Sequence, residues 1–116
     1  MSVLRIVANV EVDDPAAAQA FYGDVLGLRQ VMNHGFITTF ADEPRSQPQI
    51  SFATEGGSGT SVPDISIEVD DLEAVLQRVR SGGYEIFYGP AEEPWGVRRF
   101  YVRDPFGKLV NILTHL

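Results

Sequence analysis

The 116-residue chain has no cysteine, which excludes disulfides and thiolate metal sites together. Basic residues are scarce, 9 Lys and Arg against 16 Asp and Glu, for a net charge of −7. A chain that neutralised phosphates would carry the opposite balance, so nucleic acid and anionic membrane are excluded as expected partners. The acidic excess itself is read as a solubility feature. No apolar run approaches the roughly 18 residues of a membrane span, and Met1-Ser2-Val3-Leu4-Arg5 lacks the layout of a signal peptide. The expected compartment is the cytoplasm. The two histidines offer little: His34 falls in a predicted turn and His115 is next to last, both expected in water. With no cysteine and no well-placed His–Ser–Asp set, covalent catalysis lacks an actor.

What remains is a globular composition, 44% apolar and 22% charged, enough for one hydrophobic core. The chain also repeats itself. Val10-Glu11-Val12-Asp13-Asp14 recurs as Ile67-Glu68-Val69-Asp70-Asp71, at a spacing of 57 residues. Each copy alternates apolar and polar residues and then turns helical. Ala8, Val10 and Val12 form the apolar face of one first strand; Ile65, Ile67 and Val69 form that of the other. Asp14 before Pro15 reads as a helix start, and Asp70 with Glu73 as a variant capping box. Ala18, Phe21, Tyr22, Val25 and Leu26 predict a buried stripe on helix one, ended by Gly27. Leu72, Val75, Leu76 and Val79 predict the same on helix two, ended by Gly82-Gly83.

Three strands are expected after each helix: 28–32, 36–40 and 49–53, then 84–88, 97–103 and 108–113. Asn33-His34-Gly35 and Asp104-Pro105-Phe106-Gly107 supply turns. The expected organisation is one α+β domain over 1–116, with module one at 3–54, a Gly/Ser-rich linker at 55–61 and module two at 62–116. Each module is β-α-β-β-β. Its polar sheet face either meets water or, if the sheets curl, lines a cavity.

Duplicated units of this length resemble the vicinal oxygen chelate superfamily, which groups glyoxalases, bleomycin-resistance proteins and extradiol dioxygenases. One motif that carries the resemblance is Phe21-Tyr22-Gly23-Asp24-Val25-Leu26-Gly27-Leu28. The other is Pro94-Trp95-Gly96, with Arg99 and Asp104-Pro105-Phe106-Gly107 following, which is most similar to the bleomycin-resistance branch. The resemblance implies a cupped, eight-stranded mixed sheet closed around a cleft, and a homodimer.

It also implies where a divalent ion would sit in the family's enzymes: on the first and last strands of each module, held by His, Glu or Gln. Those places carry Val7, Ser51, Asp64 and Asn111 here. Valine has no donor, serine and asparagine are weak neutral donors, and one carboxylate does not hold a transition metal against water. Shifting the alignment by one residue brings in Ile6, Ala8, Ile50, Phe52, Val110 and Ile112, all apolar. No metal and no cofactor is therefore expected.

Strand alternation places Val7, Asn9 and Glu11 on one face, and Asp64, Ser66 and Glu68 on the equivalent face of the second copy. Three carboxylates over a partly enclosed surface would favour a cationic ligand, although Glu11 and Glu68 read as solvated strand ends and Pro63-Asp64 also suits a turn at the start of a strand. Trp95, between Pro94 and Gly96, is either a lid over the core or a platform for a planar ligand. Arg99 and Tyr101 share its cleft by parity, with Arg99 pairing to nearby acids or to an anionic ligand, while Phe100 and Val102 pack under the helix. The expected ligand-binding set is Val7, Asn9, Ser51, Asp64, Ser66, Trp95, Arg99, Tyr101 and Asn111. The expected function is metal-free sequestration of an antibiotic or metabolite. The alternative is a metal-dependent lyase, isomerase or dioxygenase, or one using Asp64 as its base.

Overall fold

The computed structural model describes residues 1–43 and 48–116. They form two compact units, one of Val7–Val62 and one of Pro63–Leu116 with Met1–Ile6. Strand β1, Val3–Glu11, runs from one unit into the other.

In the Val7–Val62 unit, β1 is followed by β2 (Arg29–Asn33), β3 (Ile37–Ala41) and β4 (Gln49–Ala53), in the spatial order β2-β3-β4-β1. The last strand returns parallel to the first, pairing Asn9 with Ser51. Strands β3 and β4 pair antiparallel, with Thr39 opposite Ser51. The turn before β3 forms as expected: Asn33 Oδ1 accepts from Gly35 N, and Gly35 takes φ 84°, a conformation glycine adopts without steric cost. One sheet face buries Phe40 and Phe52 against Tyr22, whose ring centroid lies 4.7 Å from that of Phe52.

Two expectations fail in this unit. Between β1 and β2 the chain winds as a 3-10 turn, Pro15–Ala18, and then a π-helix, Gln19–Val25, in place of an α-helix. Leu26 N donates five residues back to Phe21 O. That wider winding breaks the alignment of residues three and four apart on which the predicted stripe depends. Tyr22 still turns inward, but Phe21, Val25 and Leu26 are exposed. On β1 the buried parity is also the other one: Val7 is buried, whereas Ala8 and Val10 are exposed.

The second unit contains β5 (Ile65–Val69), helix α1 (Leu72–Ser81), β6 (Ile86–Glu93), β7 (Val97–Arg103) and β8 (Leu109–His115). Its spatial order is β5-β8-β7-β6. Again the last strand lies parallel to the first, with Ser66 opposite Asn111, and the remaining pairs are antiparallel. Helix α1 is capped by Asp71, which accepts from Ala74 N; Asp70, expected in that role, accepts from Ser2 N. Val69, Leu72, Leu76, Phe100, Val102, Val110 and Ile112 form one buried cluster between α1 and the sheet. Phe100 and Val102 thus lie under the helix, as their parity predicts.

Strand β6 starts later than expected and runs through Glu93. The strand continues through Gly89-Pro90 by means of bulges on either side of Tyr88. In the spatial order of its unit β6 comes last, the position at which a strand tolerates proline. The 55–61 segment is a hydrogen-bonded turn in which Gly56 and Gly57 are buried.

Candidate ligand-binding site

One face of the β5-β8-β7-β6 sheet carries the core under α1; the other sets buried polar residues among the buried apolar Val97, Leu109 and Leu113, with Ser66 and Tyr88 half-buried. Parity and register bring Ser66, Asn111, Tyr101 and Tyr88 into one row across the four strands. Arg99 lies two residues from Tyr101 on β7, opposite Leu113 and Ala91. Arg99 is 3% exposed, Tyr101 0%, Glu93 7% and Asn111 7%. Arg99 Nη2 donates to Glu93 Oε2 at 2.7 Å, Arg99 Nη1 donates to the Tyr101 hydroxyl at 2.9 Å, and the Tyr88 hydroxyl donates to Glu93 Oε1 at 3.0 Å. The guanidinium carbon lies 4.9 Å from the ring centroids of Trp95 and Tyr101 and 5.5 Å from that of Tyr88. Three aromatic faces and a carboxylate therefore enclose one cation, an arrangement that compensates its desolvation.

Trp95 reaches this position because Glu93–Gly96 closes a turn, Gly96 N donating to Glu93 O with Gly96 at φ 91°. Its ring faces the protein's own arginine. Of the nearby acids expected to pair with Arg99, the partner is Glu93, the last residue of β6. Glu93 and Tyr88 were absent from the expected set. The missed signal is their odd-and-even phase across the Gly89-Pro90 bulge, which simple alternation does not bridge.

The positions at which the family's enzymes would hold a metal are engaged or incapable here. Val7 has no donor. The Ser51 hydroxyl lies 2.7 Å from the Thr39 hydroxyl in a buried pair. Asp64 is exposed, and its Oδ2 accepts from Leu109 N at 2.8 Å, fixing the start of β8. Asn111 Nδ2 donates to Ser66 Oγ at 3.1 Å. A hard or borderline cation needs several convergent anionic or imidazole donors, and among the described residues no group of three His, Cys, Asp or Glu converges. These residues do not fit the family's metal. Of the other carboxylates, Glu68 pairs with Arg5 at 3.1 Å and with His115 at 2.6 Å, and Glu11 is exposed. Asn9 lies opposite Ser51, in the Val7–Val62 unit.

Among the described residues, eight strands in mixed pairings with few helices and a repeated first-with-last parallel pair define the glyoxalase-like class of fold. The chain belongs to the Glyoxalase/Bleomycin resistance protein/Dioxygenase superfamily, whose profile it matches over residues 5–112. Among solved structures it is similar to an NAD-dependent benzaldehyde dehydrogenase from Legionella pneumophila, with TM-score 0.77 and 14% identity over 96% of this chain and 99% of that one. It is also similar to methylmalonyl-CoA epimerase from Mycobacterium tuberculosis, with TM-score 0.73 and 22% identity over 98% of this chain and 89% of that one. A superfamily member from Vibrio splendidus 12B01 gives TM-score 0.64 and 18% identity over 99% and 100% of the two chains. These likenesses concern the fold. No curated protein sequence matches. Among the described residues no helix is long and apolar enough to cross a membrane.

Proposed function

We propose that this chain binds a small organic molecule on the polar face of the β5-β8-β7-β6 sheet, without a metal, and acts as a homodimer that sequesters it. The observation that carries the reading is the burial of that face: Arg99, Tyr101 and Asn111 are each less than a tenth exposed, though none of them belongs to the apolar core cluster. Polar groups are costly to bury, and this face holds them beside the buried apolar Val97, Leu109 and Leu113. Sequestration lowers free ligand by mass action and requires no reacting group. The bleomycin-resistance branch is favoured within the superfamily by Pro94-Trp95-Gly96 and Asp104-Pro105-Phe106-Gly107, and an antibiotic is the corresponding cargo.

An enzymatic reading as a lyase, isomerase or dioxygenase draws on the epimerase among the fold neighbours, at 22% identity. Its metal-dependent form lacks a donor set among the described residues. Its Asp64-based form asks a solvated carboxylate, already accepting from Leu109 N, to act as a base. A thermal-shift screen of antibiotics and metabolites, run with added divalent ions and again with chelator, tests the proposal. A saturating tight ligand is expected to raise stability by about 3–4 kcal/mol, equally in both conditions. Stoichiometric iron, manganese, nickel or zinc in the purified protein, with a shift that chelator abolishes, overturns it.

A further inference from the structure

Strand β1 turns an apolar row outward. Leu4, Ile6, Ala8 and Val10 share one parity and all four are exposed, Leu4 by 44%, Ile6 by 55% and Val10 by 39%. The opposite parity carries Arg5, Asn9 and Glu11 on either side of the buried Val7. A strand whose first side met water in the working protein would carry polar residues there, as alternation allows. Within the Val7–Val62 unit the helical segment stops short of this row. β1 comes last in the order β2-β3-β4-β1, and Tyr22 of the Gln19–Val25 segment lies over Phe40 of β3 and Phe52 of β4, at 6.3 and 4.7 Å between ring centroids. Val10 is the register partner of Phe52 and shares its face, so the bare strand adjoins that segment. Phe21, edge-on to Tyr22 at 5.1 Å, extends the exposed apolar surface toward Val25 and Leu26.

The row on β1 has no charged, donor or acceptor side chain, and so nothing by which a different protein would be told apart. A second copy supplies a matching apolar row by symmetry. On a chain of net charge −7 it is also a place where two copies meet without setting acids together. Doubled by a twofold axis, Leu4, Ile6 and Val10 with Phe21, Val25 and Leu26 bury on the order of 1,000 Å², the size from which a specific pair is stable. We infer that the exposed apolar side of β1, together with the outer side of Gln19–Val25, is the surface on which a second copy packs across a twofold axis. This rests on the homodimer reading and gives that dimer its contact.

The full chain has no cysteine, so one introduced thiol reports on one place. Ala8→Cys, treated with a short bismaleimide at dilution, is expected to give at least tenfold more covalent dimer than His34→Cys. His34 is exposed in the turn between β2 and β3, beyond β4 in the order of the unit. Val10→Lys sets two like charges into the contact. It is expected to raise the dissociation constant of the dimer at least tenfold in a light-scattering dilution series, with the far-ultraviolet spectrum unchanged. Equal cross-linking at the two positions, or a dimer that Val10→Lys leaves as tight as before, overturns the inference and leaves the homodimer reading standing. A wild-type chain that stays monomeric overturns both and leaves the bare row to a partner of another kind. Should Val10→Lys not fold, the cross-linking comparison decides alone.

Discussion

Arg99 shows how one residue's environment combines legible and illegible parts. Its parity on β7 is readable from Val97–Arg103, because a seven-residue alternation leaves little freedom of phase. Its carboxylate partner is not readable, because Glu93 comes into register only through the bulges of β6. The pair is 96% buried on both sides, so removing one member strands the other in a site that water does not reach. Arg99→Met is expected to cost about 3–5 kcal/mol in urea denaturation. Adding Glu93→Gln is expected to return most of that, since the double variant leaves no lone charge. Equal losses in the single and double variants would mean that the aromatic packing, and not the ion pair, holds the face together. Trp95 reports on the same event: as the single tryptophan, its fluorescence is expected to change in Arg99→Met, whose guanidinium is missing from the ring face.

At the scale of elements, the two Val-Asp-Asp repeats look interchangeable and are not used in the same way. In both copies the second aspartate is the cap, Asp14 accepting from Ala16 N and Asp71 from Ala74 N. The Asp70–Glu73 spacing imitates a capping box one residue too early, and Glu73 pairs instead with Arg98 at 2.9 Å. Asp71→Ala is accordingly expected to lower stability by about 1 kcal/mol. Asp70→Ala loses only an exposed bond to Ser2 N and is expected to fall within about 0.5 kcal/mol of wild type. A larger loss at Asp70 would return the cap to the position that the sequence pattern favours. The helices that follow also differ. α1 buries Leu72 and Leu76 and keeps its 3.6-residue period, so its pattern was legible. The Gln19–Val25 segment buries only Gly23 and holds π-type bonds, a choice that periodicity does not encode. With so little burial, its amides are expected to exchange with solvent faster than those of Leu72–Ser81 in native-state hydrogen exchange.

For the molecule as a whole, the duplication was the most informative feature of the sequence. It gives both units the same connectivity, with first and last strands parallel and two antiparallel strands beyond. What duplication cannot convey is which apolar residues face out, because that depends on winding and on what lies outside the chain. Phe21, Val25 and Leu26 are 55%, 68% and 54% exposed, three large apolar side chains within one short helical segment. Grouped exposure of this kind marks an interaction surface more often than a free one. An apolar strip, here with Asp24 as the single charged residue of its segment, can meet its own copy across a twofold axis with little like charge set together, which matters for a chain of net charge −7. The proposed homodimer is expected to use this strip. Light scattering after size exclusion should then give twice the 12.8 kDa of the chain. Val25→Lys should return the mass toward that of one chain while the far-ultraviolet spectrum is retained. A monomeric wild type at high concentration would remove the dimer, and a dimer unaffected by Val25→Lys would move its contact to another surface.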